Sequence, residues 1–311
     1  MIVKPIKTEV AGIEIIEGYR LVTSYSQLDK YLTCPFSWFL KYIEKIQSDI
    51  KAKALEYGLA VHETMEFYFE MQKLGVFVPQ GELVKYFFKT FKEHEIPFDS
   101  EDEEKDYYKE GIIAIDRIFN PVNEVERVMV DPENVILGVE EDFELEVELL
   151  SPIQVAYIDD AGHPQILEAD RVYIIGFIDL VMRTKEGIVV IDHKSGKTLF
   201  DKHKLAENLQ FPIYAMAILK KYGELPVRSY YNFTKLHKCQ VLKLEAKSEK
   251  DHVLDEARLI RSKAEILGIF KKMNRPKHTA KPSFMCYWCD YSKHKLNVCK
   301  RSSDFKPKSA K

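Results

Sequence analysis

Two apolar, β-branched runs near the middle of the chain predict a β-hairpin. They cover residues 174–182 and 187–193 and are joined by a short polar turn that ends in glycine. Each run contains one aspartate, Asp179 in the first and Asp192 in the second. Lys194 follows Asp192 by two positions, so both side chains lie on one face of the strand. Carboxylates are rare in such runs without a compensating partner, so the hairpin predicts either a buried ion pair or a metal site.

Helical periodicity dominates before this hairpin, and strands and helices alternate around it. The segment 143–149 alternates apolar residues with glutamates, which predicts a half-buried strand. Ser24 and Gln27 form a capping-box pattern ahead of the first helix, and residues 1–22 are a weaker strand candidate. Further strands are predicted at 229–236 and 240–246. Helices are predicted at 28–34, 36–46, 52–74, 81–92, 107–119, 204–222 and, after a cap at 248–251, 253–275.

This order of elements predicts the fold class α+β, with a mixed β-sheet and an N-terminal helical part. Runs of helices and strands that are segregated along the chain favour such a fold. A dinucleotide-binding fold is disfavoured because no glycine-rich phosphate loop follows a strand.

The composition of the 311 residues is that of a globular protein, with 46% hydrophobic and 31% charged residues. No apolar run has the length of a membrane span, and the N-terminus lacks the apolar core of a signal peptide. We therefore predict a cytoplasmic protein without membrane association, in the host cytoplasm if the chain is viral.

Charge is distributed unevenly along the chain. The formal net charge is −3, yet 15 Lys and Arg and only 3 Asp and Glu lie between Arg258 and the C-terminus. The acidic stretch 93–110 would repel nucleic acid, whereas the basic end predicts a phosphate-binding surface. The residues predicted to bind DNA phosphates are Lys271, Lys272, Arg275, Lys277 and Lys281.

The five cysteines indicate metal binding rather than disulfides, since their number is odd and no export signal is present. Three of them follow one another closely as Cys286, Cys289 and Cys299, and Cys34 lies far upstream. Cys239 is interpreted as an ordinary thiol.

Four ordered motifs resemble those of RecB-like nucleases of the PD-(D/E)XK superfamily. They are Gly58-x3-His62-Glu63, Gly176-Phe-Ile-Asp179, Ile191-Asp-His-Lys194 and Gln210-x3-Tyr214. The opening SYSQLDKYLTCPFSWFLKY is similar to the N-terminal signature of that branch. The resemblance runs from about Ser24 to Cys299 and implies a restriction-endonuclease-like sheet core flanked by helices.

The resemblance also implies roles for the motif residues. Mg²⁺ or Mn²⁺ would be bound by hard oxygen ligands, with an imidazole shifting the preference towards Mn²⁺. Lys194 would orient or deprotonate the attacking water, while Gln210 and Tyr214 would position the lysine or the DNA backbone. Glu63 is left out of the ligand set. The implied metal ligands are His62, Asp179, Asp192 and the backbone carbonyl of His193.

A cluster of four cysteines is implied as well. Several RecB-like nucleases, including CRISPR adaptation nucleases and AddB-type helicase–nucleases, hold a [4Fe–4S] cluster with one N-terminal and three C-terminal cysteines. The resemblance assigns Cys34, Cys286, Cys289 and Cys299 to it, although nine residues separate the last two, which is more than the family usually has. The alternative is a zinc site in which His294 replaces Cys34.

Tyr287 and Trp288 lie between two of these cysteines. Stacking on bases is one interpretation of the pair, and packing around the cluster is favoured over it.

We interpret the chain as a single nuclease domain over residues 1–311. It would comprise a helical part at 24–120, a catalytic sheet core at 135–270 and a cysteine-rich segment at 275–300, followed by a basic, solvated tail at 301–311.

The expected activity is metal-dependent, sequence-independent hydrolysis of DNA, as an exonuclease on single-stranded or end-bearing substrates. The alternatives are a structure-specific endonuclease or an RNase of the same fold, and a non-catalytic DNA-binding or assembly module. The last would be expected to have lost Asp179, Asp192 or Lys194, and none is lost. Because no helicase motif is present, unwinding would require a partner, and DNA repair, CRISPR spacer acquisition and recombination are all open pathways.

Overall fold

A computed structural model describes residues 2–10, 13–48, 52–245 and 252–304. The strands are β1 Ile2–Val10, β2 Ile13–Thr23, β3 Val135–Ile158, β4 Pro164–Thr184, β5 Gly187–Lys194, β6 Arg228–Phe233, β7 Lys238–Lys243 and β8 His252–Val253. The α-helices are α1 Tyr25–Thr33, α2 Pro35–Tyr42, α3 Lys53–Lys73, α4 Gln80–Glu93, α5 Glu101–Phe119, α6 Glu124–Val130, α7 Lys202–Glu207, α8 Gln210–Tyr222 and α9 Glu256–Met273. Two 3₁₀ helices follow at Phe284–Tyr287 and Lys300–Asp304.

The chain folds into two compact units, each built from separate segments. The first unit takes its residues from 1–50, 144–176 and 260–311, and the second from 51–143 and 177–259. The long strands β3 and β4 contribute residues to both. The single-domain interpretation of the sequence stays a prediction.

A mixed sheet forms the centre of the second unit. The end of β4 pairs antiparallel with β5, β5 runs parallel to β6, β6 is antiparallel to β7, and β7 is parallel to β8. The β4–β5 turn requires Gly187, whose φ is +135° and whose added Cβ would come within 2.7 Å of the Val227 side chain. The predicted hairpin and the mixed sheet are therefore confirmed.

Helices α3 to α6 cover one face of this sheet. Their buried residues share a hydrophobic core with sheet residues such as Leu180, Val189 and Tyr230. The apolar periodicity of α3 and α4 reflects this burial, because each helix turns one stripe towards the sheet. The predicted arrangement of a sheet core flanked by helices is confirmed.

The first unit contains its own strands and a small second core. β1 and β2 form an antiparallel pair where one weak strand was predicted, and β2 runs parallel to β4. The buried residues Leu40, Tyr291 and Cys299 pack together, with aromatic residues of α2 against them. No helix in the described part of the chain has the length and apolar composition needed to cross a membrane.

Two details of the predicted helices are wrong. The helix predicted over 204–222 is divided at Asn208, whose extended backbone ends α7 and whose side chain accepts a hydrogen bond from the backbone N–H of Gln210 at 2.7 Å. Asparagine favours such local bonds over a continuous helix. At the first helix Ser24 is the N-cap as predicted, but Gln27 does not reach back, because its side-chain oxygen is buried without a partner.

The last helix also differs from its prediction. It begins at Glu256, so Val253 lies in β8, and the predicted cap at 248–251 falls outside the described residues. The apolar spacing predicts that one stripe of this helix faces the core, formed by Val253, Ala257, Ile260, Ala264 and Leu267. This prediction is wrong because Ile260 is 72% exposed, while Leu259 is buried. The buried stripe of the helix consists of Leu259, Ser262, Ile266, Ile269, Phe270 and Met273.

A buried lysine attaches two helices of the second unit to the turn after β6. The Lys235 side chain is only 4% exposed, and its Nζ lies 2.8 Å from a carboxylate oxygen of Glu110 in α5. The same Nζ lies 3.8 Å from the ring centroid of Tyr57 in α3 and 4.1 Å from that of Tyr107. Burial lowers the pKa of Lys235, and the charge of Glu110 opposes this effect. The ammonium is stabilised by one carboxylate and two ring faces.

Removing the Glu110 carboxylate is expected to destabilise the protein more than removing an exposed carboxylate of the same helix. Glu110→Ala leaves the Lys235 ammonium without its anion and should lower the free energy of unfolding by about 1–3 kcal/mol. Asp106→Ala, which removes an exposed pair with Lys109, is the matched control and should change it by less than about 0.5 kcal/mol. Urea denaturation measures both, and equal effects would contradict the prediction.

Candidate active site

The candidate active site lies in the second unit, where Asp179 accepts hydrogen bonds from two directions. One oxygen of its carboxylate lies 2.9 Å from Nε2 of His62 on α3. The same oxygen accepts the backbone N–H of His193 at 2.7 Å. The hairpin register thus brings β5 to Asp179, and α3 delivers the imidazole. The imidazole and carboxylate predicted as metal ligands are in direct contact.

Glu140 on β3 belongs to the same group and was not predicted. Its carboxylate lies 3.4 Å from Nδ1 of His62, and the ligand atoms of His62, Glu140 and Asp179 all lie within 4.8 Å of one another. Glu140 has a left-handed φ of +43°, so the strand does not continue its regular alternation there. Three adjacent acidic residues, Glu140, Glu141 and Asp142, were the available signal, but periodicity alone does not select one of them.

Asp192 anchors the other half of the site. It is 2% exposed; one of its oxygens lies 2.7 Å from Nζ of Lys194, and the other accepts a hydrogen bond from Nε2 of Gln210 at 2.6 Å. Lys194 in turn donates to Oε1 of Gln210 at 3.1 Å, and Gln210 donates to the hydroxyl of Tyr214 at 3.0 Å. The residues of the last two predicted motifs, Asp192, Lys194, Gln210 and Tyr214, therefore form one hydrogen-bonded chain.

The break between α7 and α8 explains how Gln210 reaches this chain. Gln210 is the first residue of α8, and the side chain of Asn208 caps its backbone N–H. A helix that begins here places Gln210 and Tyr214 one turn apart on the same face. The interruption thus positions the amide beside Asp192.

His193 itself turns away from the hydrogen-bonded chain. Its ring nitrogen Nδ1 lies 3.2 Å from the side-chain nitrogen of Asn232 on β6. Burial lowers the pKa of His193 to about 4, so the ring is neutral at physiological pH. The backbone N–H of His193, next to the carbonyl predicted as a ligand, is bonded to Asp179.

The acidic groups of the site have displaced pKa values, and burial is the main cause. Burial raises the pKa of Asp192 to about 6 against the opposing charge of Lys194, and it raises that of Glu140 to about 7 against His62. Burial would also raise the pKa of Asp179, but the hydrogen bond and charge of His62 hold it below its usual range. Displaced pKa values of grouped carboxylates are typical of functional sites.

The pKa of His62 is raised, whereas burial alone would lower the pKa of a histidine. Burial would lower its pKa, but the hydrogen bond to Asp179 and the charges of Asp179 and Glu140 raise it to about 9. The imidazolium thus compensates part of the negative charge of the site. A divalent cation bound by these carboxylates would serve the same purpose, and the imidazole would then be neutral.

Gly58 lies where α3 closely approaches the segment after β5. A Cβ at this position would lie 2.5 Å from the hydroxyl oxygen of Ser195. A side chain here would therefore force the Ser195 hydroxyl to move away from the helix that carries His62. Glu63, by contrast, contacts His94 at 3.1 Å and is 45% exposed. Its omission from the predicted ligand set agrees with this orientation.

Four cysteines of the first unit line one cavity of about 170 Å³. Two of the sulfurs accept backbone N–H groups at 3.4 Å, Cys34 from Lys281 and Cys286 from Ser283. Such bonds favour thiolates and commonly surround metal-bound sulfur. His294, the alternative ligand, is exposed and does not belong to the residues that line this cavity. The cysteines of the cavity are Cys34, Cys286, Cys289 and Cys299; Cys239 lies in β7.

The basic residues predicted to bind phosphates belong to the end of α9 and the segment after it, in the first unit. Lys271, Lys272, Arg275 and Lys277 are exposed. Lys281 differs from these, because its ammonium donates to the backbone carbonyl of Leu32 at 3.2 Å.

Carboxylates and a lysine on the central hairpin of a mixed sheet, with an imidazole from a neighbouring helix, suit a hydrolase that cleaves phosphodiesters with a divalent ion. The family model of the PD-(D/E)XK nuclease superfamily matches residues 22–294. The chain therefore belongs to the PD-(D/E)XK nuclease superfamily, whose members use divalent metals and act on nucleic acid. A search of the curated proteins finds no match to it.

The charge of His62 is expected to stabilise the metal-free protein in a defined pH range. Because its pKa is raised from 6.5 to about 9, the stabilisation is complete below pH 6.5 and is lost as the pH rises through about 9. The cost of His62→Ala should therefore be largest near pH 6 and should shrink towards pH 9.5, as measured by urea denaturation in EDTA.

The control for this experiment is His163→Ala, since His163 is 72% exposed. Its effect on the free energy of unfolding should be small at every pH. A cost of His62→Ala that stays constant between about pH 6 and pH 9.5 would contradict the predicted pKa.

Proposed function

We propose that the chain is a divalent-metal-dependent deoxyribonuclease that acts as an exonuclease on single-stranded or end-bearing DNA. The observation that carries this proposal is the continuous set of contacts from Glu140 through His62 to Asp179, with Asp192, Lys194 and Gln210 on the adjacent strand and helix. A structural ion pair between Asp192 and Lys194 would require neither His62 nor Glu140.

The donor set fits a hard divalent cation. His62, Glu140 and Asp179 offer two carboxylates and one imidazole within 4.8 Å. Asp192 lies outside this group, with its oxygens on Lys194 and Gln210, and remains a proposed ligand. Such ligands suit Mg²⁺ or Mn²⁺, and the imidazole favours Mn²⁺. A bound ion would supply a water of lowered pKa and would stabilise negative charge on the phosphate. The backbone carbonyl of His193 remains a proposed ligand.

Lys194 is the proposed group that handles the water and the developing charge. Asp192 and Gln210 both contact it, so its ammonium is held in one orientation. A positioned lysine can donate a hydrogen bond to the attacking water or to a phosphate oxygen. Gln210 also bonds to Asp192 and Tyr214, and we assign it and Tyr214 the role of positioning the lysine.

The preference for DNA ends rests on the resemblance to RecB-like nucleases. The rival activities are those of an RNase and of a structure-specific endonuclease, and a non-catalytic binding module is a rival of another class. Digestion of end-labelled single-stranded, duplex, circular and RNA substrates with Mn²⁺ or Mg²⁺ separates them. Cleavage of circular DNA would refute the assignment as an exonuclease. The partner proposed for unwinding is a helicase, a recombination protein or a CRISPR protein.

Substitution of Asp192 is expected to abolish cleavage while the protein still folds. Asp192→Asn keeps the size of the buried side chain but removes the charge that orients Lys194, so activity should fall at least about 100-fold. Asp192→Ala should have the same effect on cleavage. Initial rates on labelled single-stranded DNA in Mn²⁺ measure both.

Glu63→Gln is the matched control for this experiment. Glu63 directly follows His62 in the sequence, but its side chain contacts His94. The activity of the Glu63→Gln variant should therefore stay within about twofold of wild type. Full activity in Asp192→Ala would refute the catalytic assignment.

We further propose that the cavity cysteines hold a [4Fe–4S] cluster. Four thiols that line one cavity suit this group, and the N–H groups on two sulfurs would stabilise its thiolates. The cluster would join Cys34 to the C-terminal segment of the first unit and close a loop of some 250 residues.

Purified protein is expected to be brown, with absorbance near about 400 nm that depends on Cys34. Cys34→Ser should lose this absorbance and most of the bound iron, whereas Cys239→Ser should keep both, since Cys239 lies in β7. If protein purified anaerobically is colourless and contains stoichiometric zinc, the iron–sulfur assignment is refuted and the zinc site is supported.

A further inference from the structure

Three aromatic rings of the cysteine-rich segment are exposed and contact one another. Phe284, Tyr287 and Trp288, which we call the aromatic platform, are 60%, 62% and 65% exposed. The ring of Trp288 lies 6.1 Å from that of Phe284 and 6.2 Å from that of Tyr287, measured between centroids. Trp288 also lines the cavity of the cysteines and Tyr287 does not, so their packing around a cluster stays a prediction. Contiguous exposed apolar surface of this kind commonly marks an interaction site.

The local backbone explains why these rings point outwards. Ser283 caps the short 3₁₀ helix, and its N–H donates to the sulfur of Cys286, which lines the cavity. At the other end Nζ of Lys295 donates to the carbonyl of Trp288 and to Asp290, both at 3.0 Å. The segment is thus held at both ends, and the platform is organised before any ligand binds.

The surroundings of the platform are strongly basic. Residues 271–304 contain nine Lys and Arg and only two Asp. Trp288 lines the cysteine cavity together with the cationic residues Lys30, Lys281 and Arg301. The positive charge therefore favours a polyanion as the ligand. The exposed rings favour a polyanion that also carries flat apolar groups.

We propose that the aromatic platform binds single-stranded nucleic acid by stacking its bases on Tyr287 and Trp288, while the neighbouring cations contact the phosphates. Proteins bind single strands by this combination of stacking and positive charge. A duplex does not offer its base faces, so the platform discriminates against paired strands. This inference rests on the proposed function in that the substrate is nucleic acid, and it specifies the strand form.

Tryptophan fluorescence tests the stacking directly, because the chain has two tryptophans with opposite environments. Trp38 is 1% exposed, whereas Trp288 is 65% exposed. In EDTA, which prevents hydrolysis, oligo(dT) or oligo(U) of about 15 nucleotides should quench the emission of Trp288. An abasic strand of equal length should cause no quenching. The two base-bearing strands also show whether DNA or RNA is preferred.

Variants measure how much the rings contribute to affinity. Tyr287→Ala with Trp288→Ala should weaken binding of the base-bearing strands about 10- to 100-fold, with no change for the abasic strand. Tyr287→Phe with Trp288→Phe should restore most of the affinity. Phe77→Ala is the matched control, since Phe77 is 75% exposed in the second unit, and it should bind like wild type.

Wild-type affinity in the alanine pair, or equal quenching by the abasic strand, would overturn the proposal. Quenching by anionic lipid vesicles but not by oligonucleotides would also overturn it and assign the rings to a membrane surface. The fluorescence of the wild type decides the matter even if the alanine pair does not fold. Cleavage by the wild type in Mn²⁺, measured separately, shows whether the proposed nuclease activity stands when the platform proposal fails.

Discussion

The candidate active site is built around a carboxylate that is buried in the middle of a sheet. Asp192 is almost fully enclosed, and a charge in such a place is costly unless it is paired and hydrogen-bonded. Lys194 and Gln210 meet this requirement from the strand end and from the start of α8. The spacing of two along β5 and the break between α7 and α8 bring these three groups together.

The same constraint explains the electrostatics of the neighbouring group. With Asp179 and Glu140 close to Asp192, the site contains more negative than positive groups unless protons or cations bind. The raised pKa values of Glu140 and His62 describe how the metal-free protein retains protons to compensate. The negative charge of such a site can be compensated either by protons or by a bound cation. The carboxylates act as metal ligands only in their deprotonated form.

Much of this site could be predicted from the sequence because its determinants are local. Asp192 and Lys194 share a strand face by their spacing, and Gln210 and Tyr214 share a helix face by theirs. The hairpin needed only β-branched runs and a glycine turn. The order of four short motifs then identified the superfamily, and the family match and the mixed sheet agree with it.

What the sequence could not predict depends on contacts between distant segments or on irregular backbone. Glu140 takes part through a left-handed residue inside a long strand, which no periodicity indicates. The predicted stripe of α9 is wrong because Leu259 and Ile260 are both apolar and only Leu259 is buried, so periodicity alone does not select the buried face. Adjacent positions of a helix differ in direction by about 100°. The exposure of the Tyr287 and Trp288 rings depends on tertiary structure as well, since the sequence does not show which aromatic side chains are buried.

The orientation of these two rings changes the interpretation of the cysteine-rich segment. If the segment only stabilised the first unit, its large aromatic side chains would be expected to cover the cavity, where burial contributes most. The cavity is lined by the cysteines and by apolar side chains such as Phe36 and Tyr291. Trp288 borders it as well, yet the rings of Phe284, Tyr287 and Trp288 each remain more than half exposed beside several cations. Exposed aromatic surface lowers solubility and gains no burial energy, so its presence is best explained by a ligand that covers it. A cluster bound by the cysteines would then both hold the segment together and keep the aromatic surface in a fixed orientation.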